Sequence, residues 1–273
     1  MRKFIVAAVQ MDTGNDKNQN LQQMLQYIEE AARRGADLVV FPEVATILSE
    51  EAEHAESIPG PTTYLLAQKA KECGIWVHGG SMSELNPNGP RTYNTSVLIN
   101  PAGEIVAKYR KLHNFDMILP DGSSVRESDN KEPGRQIVTV QTELGCLGFA
   151  ICYDMRFPEL FRIMRLQGAE VIFLPANFTL PTGKDHWEPL LRARAIENGV
   201  YIIAPNQIRV KEKFTAYGNS MIIDPWGTVI ARASDRPEII FAEIDLDYLK
   251  QLREKNPSVN NRRSDVYQIS KYE

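Results

Sequence analysis

Three reactive side chains each stand at the end of an apolar stretch of this sequence. Glu43 follows "LVVFP", Lys111 ends "EIVAKYRK" and Cys152 follows "LGFAI". A thiol is mostly protonated near neutral pH, so it needs a base or a neighbouring cation to act as a nucleophile. If the three side chains converge, Glu43 can accept the thiol proton and Lys111 can hold a developing oxyanion. The residue types therefore predict a hydrolase that works through a covalent intermediate.

Each of these residues has a plainer structural interpretation when it is taken alone. A single cysteine after an apolar strand is usually a packing residue. Glu43 could stabilise the N-terminus of a helix, and Lys111 could be a solvated surface charge. The position at three strand ends favours chemistry, because the carboxyl ends of strands form the binding crevice of open α/β sheets.

Strand and helix patterns alternate along the chain, which indicates an α/β fold. Two hairpins are expected at 93–111 and 219–234, where Pro-Ala-Gly and Pro-Trp-Gly mark the turns. Residues 112–136 show no periodicity and are expected to form one long loop, a feature that is often functional. The other strands are expected at 3–11, 37–43, 75–84, 146–152, 170–176, 200–207 and 239–245, and the helices at 16–34, 62–74, 157–167, 185–198 and 246–255.

One internal similarity bears on the architecture. "AARRGADLVVFPE" (31–43) and "MRLQGAEVIFLPA" (164–176) share a helix end, Gly-Ala-acid and an apolar strand closed by proline. Any helix-to-strand unit can look like this, so duplication of the fold stays open at this point. Two similar halves, each a sheet with helices on one face, would pack sheet against sheet.

Composition narrows the classes of partner. The net charge is −4 and no basic block stands out, which argues against nucleic acid. No apolar run reaches the length of a membrane span, and the apolar run near the N-terminus is too short for a signal peptide. Three cysteines make a disulfide framework improbable and fit a reducing cytoplasm. The polar tail from 256 is expected to pack on the body or on a partner chain.

The sequence carries none of the common cofactor or metal motifs. Its four histidines are far apart, so neither a metal site nor a cofactor is expected. A Cys-His hydrolase that uses His113 or His186 is a weaker alternative to the carboxylate-assisted mechanism.

Seven segments, spread from about residue 4 to residue 268, resemble the nitrilase superfamily of carbon–nitrogen hydrolases, and within it the Nit-type amidases. So many segments in the same order are far more specific than one short motif. They are "LVVFPE", "YRKLHNFD", "RESDNKEPG", "GFAICYDMRFPEL", "TGKDHWEPLLRARAIENGVYIIAPNQ", "YGNSMIIDPWGTVIA" and "NNRRSDVY".

The resemblance implies a catalytic triad of Glu43, Lys111 and Cys152, with Glu127 as an accessory carboxylate. In the mechanism it implies, the backbone N–H of Tyr153 helps to hold the oxyanion. It also implies a four-layer α-β-β-α sandwich with two pseudo-symmetric sheets, a single domain over 1–273 and a homodimer. The dimer would form through elements after the nucleophile strand and near the C-terminus.

The same resemblance implies a small amide substrate that carries a carboxylate, for which an arginine is the natural anchor. Arg156, Arg194 and Arg126 are the candidates, although Arg156 could instead pair with Asp154 or Glu159. Three residues after the strand that follows Cys152 are expected to line the pocket: Asn177, Phe178 and Thr179.

Two segments point to different branches of the Nit-type amidases. "PEVATILSEEAEHAESIPG" lacks the insertion of the omega-amidase branch and looks more like the deaminated-glutathione branch, whereas "ANFTLPTG" is closer to the omega-amidase version. The substrate therefore stays open between them. An N-carbamoyl hydrolase, a true nitrilase and a non-catalytic scaffold protein on this fold are the remaining alternatives.

Overall fold

The computed structural model describes residues 2–48, 52–118, 122, 124–211 and 214–269. Its strands are β1 (Lys3–Gln10), β2 (Leu38–Val40), β3 (Trp76–His78), β4 (Met82–Glu84), β5 (Tyr93–Ile99), β6 (Ile105–Arg110), β7 (Asp116–Ile118), β8 (Ser124–Arg126), β9 (Thr139–Thr142), β10 (Gly145–Phe149), β11 (Val171–Phe173), β12 (Tyr201–Ala204), β13 (Ile208–Val210), β14 (Thr215–Tyr217), β15 (Met221–Ile223), β16 (Val229–Arg232) and β17 (Glu238–Asp245).

The helices cover the outer faces of two sheets. They are α1 (Lys17–Arg33), α2 (Pro61–Cys73), α3 (Pro158–Leu166), α4 (Leu180–Thr182), α5 (Glu188–Asn198) and α6 (Leu246–Lys255). A π-helical turn at Gly183–Trp187 joins α4 to α5. Short 3-10 helices lie at Ala52–His54, Glu127–Asp129 and Cys152–Arg156.

Each main sheet is built around three parallel strands. The first sheet has the order β17-β1-β2-β3-β5-β4, with β6 paired to β5, and the second has the order β16-β15-β12-β11-β10-β9. In the first sheet β1, β2 and β3 are parallel, and in the second β10, β11 and β12 are parallel. Helices connect the parallel strands because such strands need a crossover.

Alternation along β1 shows how the layers stack. Phe4, Val6 and Ala8 are buried in the same cluster as side chains of the second sheet, whereas Ala7 and Val9 pack with side chains of α1. Successive side chains of a strand point to opposite faces, so one face of β1 meets the other sheet and the opposite face meets a helix. The α-β-β-α sandwich is confirmed, and the internal sequence similarity corresponds to α1–β2 in one half and α3–β11 in the other.

The prediction of one long loop at 112–136 is only partly correct. The segment contains the small hairpin of β7 and β8, followed by the 3-10 helix at Glu127–Asp129. Asp116 accepts a hydrogen bond from the Ser128 N–H at 3.0 Å, which ties the base of the hairpin together. Strands of three residues carry too little periodicity to be recognised in a sequence. Residues 119–121 and 123 lie outside the described residues.

The polar tail lies partly against the body. Asn256 to Asn260 border a small surface depression together with Arg165, Gly199 and Arg253. Packing of the tail on a partner chain and the single domain over 1–273 stay predictions, and residues 270–273 lie outside the described part of the chain.

Candidate active site

The three reactive side chains of the sequence line one cavity of about 430 Å³. Glu43 stands three residues after β2, Lys111 follows β6 directly and Cys152 opens the 3-10 helix after β10. The structure therefore brings together residues from both sheets at the carboxyl ends of their strands. Other predicted site residues on the cavity wall are Arg126, Glu127, Tyr153, Arg156, Asn177, Phe178 and Thr179.

Lys111 lies between two carboxylates. Its Nζ is 2.9 Å from Oε1 of Glu43 and 2.8 Å from Oε2 of Glu127. The lysine side chain is only 3% exposed, so water screens these ion pairs very little. Glu127 is held further by the N–H of Phe115, which donates to its Oε2 at 2.6 Å.

Asn94 completes a ring with these three residues, and no sequence motif predicted it. Its Nδ2 donates to Oε1 of Glu43 at 2.9 Å and to Oε1 of Glu127 at 3.3 Å. The signal that could have found it is the register of the predicted hairpin, in which the Lys111 N–H donates to the Asn94 carbonyl. An asparagine opposite a lysine in a hairpin belongs to no known motif, so its role becomes visible only from its contacts in the structure.

The second oxygen of Glu43 binds the other half of the molecule. Oε2 accepts the N–H of Asn177 at 2.8 Å, and the Glu43 carbonyl accepts Nε2 of Gln207 at 2.9 Å. The turn beyond Glu43 is tight, since Val44 has a φ of +50°. Gly80 is required beside it, because a Cβ there would lie 2.1 Å from the Pro42 carbonyl oxygen.

Cys152 occupies a strained turn at the start of its 3-10 helix. Its φ is +45°, a region that non-glycine residues rarely adopt. The Cys152 N–H donates to the Pro175 carbonyl at 2.9 Å, which joins the turn to the end of β11. The N–H of Tyr153 lies in the first turn of the helix, where backbone donors have no acceptor within the helix.

Burial and charge set the protonation of the site. Burial and then the Glu43 carboxylate raise the pKa of the Cys152 thiol well above its ordinary value, although Lys111 opposes them. Burial alone would lower the pKa of Lys111, but the carboxylates of Glu127 and Glu43 hold it well above its ordinary value. Burial likewise acts against ionised Glu127, yet Lys111 keeps its pKa lowered. At neutral pH the cavity therefore holds a neutral thiol, a charged lysine and an ionised Glu127.

Arg156 lies on the cavity wall among aromatic rings. Its guanidinium carbon is 5.6 Å from the ring centroid of Tyr153 and 5.7 Å from that of Phe178, and Nη2 is 3.3 Å from Nδ1 of His186. The ion pair considered for Arg156 with Asp154 or Glu159 does not form: within the described ranges, no acidic side chain lies within ion-pair distance of Arg156. Asp154 instead accepts hydrogen bonds from the Tyr109 hydroxyl and from the backbone N–H groups of Ile151 and His113.

Arg194 is a correction to the predicted set. Its Nε donates to the Met155 carbonyl at 3.0 Å and its Nη1 pairs with Glu197 at 3.0 Å. The side chain is buried between α5 and the 3-10 helix of Cys152, away from the cavity wall, and so cannot anchor a substrate. Arg126 does line the cavity, but it is largely exposed and lies 3.8 Å from Asp129.

Neither candidate histidine lies on the cavity wall as described. His113 stacks on Phe157 with ring centroids 3.6 Å apart and bonds to Asp154, and His186 lies behind Arg156. In the described part of the chain, no group of three or more His, Cys, Asp or Glu side chains could hold a metal ion.

The comparison with family models decides the class of the protein. Residues 5–254 match the model of the carbon–nitrogen hydrolase family. The chain belongs to the carbon–nitrogen hydrolase family. The resemblance seen in the sequence is thereby confirmed, and this carbon–nitrogen hydrolase is an enzyme that hydrolyses non-peptide carbon–nitrogen bonds.

Relatives of this carbon–nitrogen hydrolase span almost its whole length. It is 42% identical over 272 residues to the deaminated glutathione amidase of Bos taurus, with 96% of this chain and 83% of the relative covered. It is 38% identical to omega-amidase NIT2 of Xenopus tropicalis, with 98% of each chain covered. The solved structure of Saccharomyces cerevisiae Nit3, a member of the nitrilase superfamily, superposes with a TM-score of 0.87 at 34% identity, covering 96% of this chain and 97% of that one.

One negative finding concerns membranes. No helix in the described ranges of this carbon–nitrogen hydrolase combines the length and the apolar character that crossing a bilayer requires.

Proposed function

We propose that this carbon–nitrogen hydrolase cleaves the terminal amide of a small carboxylate-bearing substrate to an acid and ammonia, with Cys152 as the nucleophile. The observation that carries the proposal is the position of Cys152 in one cavity with a buried lysine held between Glu43 and Glu127. A neutral thiol beside a carboxylate needs that carboxylate as its base. Glu43 is the carboxylate whose charge raises the thiol pKa most directly.

In the first half-reaction, Sγ of Cys152 attacks the amide carbonyl carbon while Glu43 accepts the thiol proton. Lys111 and the N–H of Tyr153 stabilise the negative charge on the carbonyl oxygen. Glu43 then donates the proton to the amide nitrogen, the carbon–nitrogen bond breaks and ammonia leaves. An acyl-thioester on Cys152 remains.

In the second half-reaction, Glu43 removes a proton from water as the water oxygen attacks the thioester carbonyl. The carbon–sulfur bond breaks, the acid is released and Glu43 returns the proton to Cys152. Glu127 and Asn94 keep Lys111 and Glu43 in place through both steps.

Arg156 is the proposed anchor for the substrate carboxylate. It is a cation on the cavity wall that pairs with no carboxylate among the described side chains, and a guanidinium grips a carboxylate through two parallel hydrogen bonds. Phe178, Thr179 and Asn177 line the wall beside it. This anchor favours amides of dicarboxylic acids as substrates. The proposal covers both the deaminated-glutathione branch and the omega-amidase branch.

We also propose a homodimer and a reducing, cytoplasmic location. Exposed apolar side chains on elements after the nucleophile strand support a dimer: Leu166 on α3, Ile196 on α5 and Trp226 in the β15–β16 turn. Cys152 must stay a free thiol to react, and none of the three cysteines is in a disulfide. Sedimentation velocity would distinguish a dimer from a monomer.

The decisive experiment measures ammonia release from α-ketoglutaramate, succinamate, deaminated glutathione, N-carbamoyl amino acids and a neutral amide of matched size. We expect turnover of at least one carboxylate-bearing amide, a mass increase at Cys152 equal to the acyl group, and no turnover by Cys152→Ala. Carbon dioxide released with ammonia would indicate the carbamoyl branch. Turnover of the neutral amide alone would refute the carboxylate requirement, and activity retained by Cys152→Ala would refute the nucleophile.

A further inference from the structure

Asp154 accepts hydrogen bonds from four donors although it is fully buried. Its Oδ2 accepts the Tyr109 hydroxyl at 2.7 Å and the Ile151 N–H at 2.8 Å. Its Oδ1 accepts the backbone N–H of His113 at 3.1 Å and lies 2.7 Å from Nδ1 of the His113 ring. A buried carboxylate is stable only when hydrogen-bond donors surround its oxygens, and these four donors meet that requirement.

The four donors come from the two segments that carry the reacting groups. Tyr109 and His113 stand two residues before and two residues after Lys111. Ile151 directly precedes Cys152, and Asp154 itself follows it by two residues. One carboxylate thus joins the chain on both sides of the lysine to the turn that holds the nucleophile.

Among the described strands, no pairing holds these two segments together. Lys111 follows β6 of the first sheet and Cys152 follows β10 of the second, so backbone ladders within the sheets do not fix their separation. The cysteine turn is also strained, with a φ of +45° that only surrounding contacts can maintain. The ring of His113 stacks on Phe157 directly after the 3-10 helix, which braces the same junction.

We propose that Asp154 is a positioning residue that sets the geometry of Lys111 relative to Cys152, and with it the strength of oxyanion stabilisation. It is absent from the described cavity wall, so it acts through the two segments and not on the substrate. The inference rests on the proposed roles of Cys152 and Lys111. This role differs from that of a residue that merely stabilises the fold, because it changes the rate of the reaction at a correctly folded site.

Asp154→Asn tests the proposal, because the amide keeps the shape but turns one acceptor into a donor that faces other donors. Active sites would be counted by stoichiometric iodoacetamide labelling of Cys152, located by peptide mass. We expect kcat per labelled site to fall about 100-fold with KM nearly unchanged, since misplacement by about 1 Å costs this much. Alkylation forms no oxyanion, so its rate should change far less than kcat.

A purely structural role predicts a different result. Fewer sites would then be labelled and the melting temperature would fall, but kcat per labelled site would stay at the wild-type value. That result would overturn the proposal. Asp245→Asn is the matched control, because Asp245 also accepts two backbone N–H groups, at the start of α6 and away from the cavity.

Tyr109→Phe keeps the test decisive if Asp154→Asn does not fold. It removes one bond to the carboxylate and leaves the ring in place, so kcat per site should fall about tenfold, the equivalent of one hydrogen bond to a charged group. In the double variant the two losses should be less than additive, because both remove the same contact. Full additivity, or an unchanged kcat in Tyr109→Phe, would contradict the proposal. Wild-type turnover and Cys152→Ala, measured alongside, report separately on the proposed function.

Discussion

The two sheets share one plan but carry different chemistry. Each has three parallel strands joined by helices, flanked by antiparallel strands: β17 and β5 in the first sheet, β9 and β15 in the second. The pair Ala8–Val40 in the first sheet corresponds to Phe149–Phe173 in the second. Each end of a parallel strand in one sheet therefore has a counterpart in the other sheet.

Equivalent strand ends hold one reactive and one inert residue. Three positions beyond each corresponding pair, Met11 is the counterpart of Cys152, and Ala176 is the counterpart of Glu43. Each sheet thus contributes one of these two groups, and the site exists only where the sheets meet. The repeated fold thus supplies positions, while single residues decide the chemistry.

The largest effect is expected when Cys152, the proposed nucleophile, is replaced by a residue that is as inert as its counterpart Met11. Cys152→Ala should reduce amide turnover by at least about 10⁴-fold, the scale of losses when a nucleophile is removed. Ammonia release measures it. Cys146→Ala, a second buried cysteine of the same sheet, should keep wild-type turnover. Equal losses in both variants would show a packing effect and not nucleophilic catalysis.

The next largest effect is expected when the carboxylate charge of Glu43, beyond the end of β2 in the first sheet, is removed. Glu43→Gln keeps the side-chain size but cannot accept the thiol proton, so kcat should fall about 10³-fold, within the range for general base catalysis. Single-turnover kinetics would show slow formation of the acyl-thioester. Glu170→Gln, directly before β11, is the control and should leave kcat unchanged. A wild-type acylation rate in Glu43→Gln would assign the base elsewhere.

A smaller effect concerns the cavity wall. Arg156→Leu should raise KM for carboxylate-bearing amides about 10- to 100-fold, the equivalent of charge-assisted hydrogen bonds. A neutral amide that is turned over slowly should show no such change. Arg192→Leu, on the partly exposed side of α5, should behave as wild type. If both classes of substrate lose equally, Arg156 supports the fold and does not select the substrate.

The smallest effect appears in stability and not in turnover. His78 is fully buried between Phe149 and Phe173, at a position where the second sheet has Ile203. Burial lowers its pKa from 6.5 to about 3. Between these pH values the unfolded chain binds a proton at His78 that the folded chain does not bind. The free energy of unfolding therefore falls as the pH drops from 6.5 towards 3, by up to about 1.4 kcal/mol per pH unit for this one group.

His78→Gln should flatten that slope, because glutamine does not titrate. Urea unfolding at several pH values between 4 and 7.5 measures it. His54→Gln, at a partly exposed histidine, is the control and should keep the wild-type slope. The same acid slope in His78→Gln as in the wild type would assign the loss of stability to other groups.

The fold was largely predictable because its parallel strands are buried on both faces and read as apolar runs. β2 and β11 are continuous apolar segments, and the helices between strands show a helical period. The hairpin of β7 and β8 was missed because three residues carry no usable pattern. Arg194 was misplaced because a sequence does not show whether an arginine in a helix points to a cavity or to a neighbouring carbonyl.

The order of strands and helices can be read from the sequence alone, as can the reactive residue types at the strand ends and membership in the carbon–nitrogen hydrolase family. These follow from local patterns and from motifs that are contiguous in the chain. Other features are visible only in the folded chain: Asn94 closes the ring around Lys111, Asp154 joins the lysine and cysteine segments, and Arg156 pairs with no carboxylate in the described chain. The reason is physical: Asn94 contacts Glu43 and Glu127, and Asp154 contacts Tyr109 and His113, across 33 to 51 residues of the chain, and no local pattern encodes such distances.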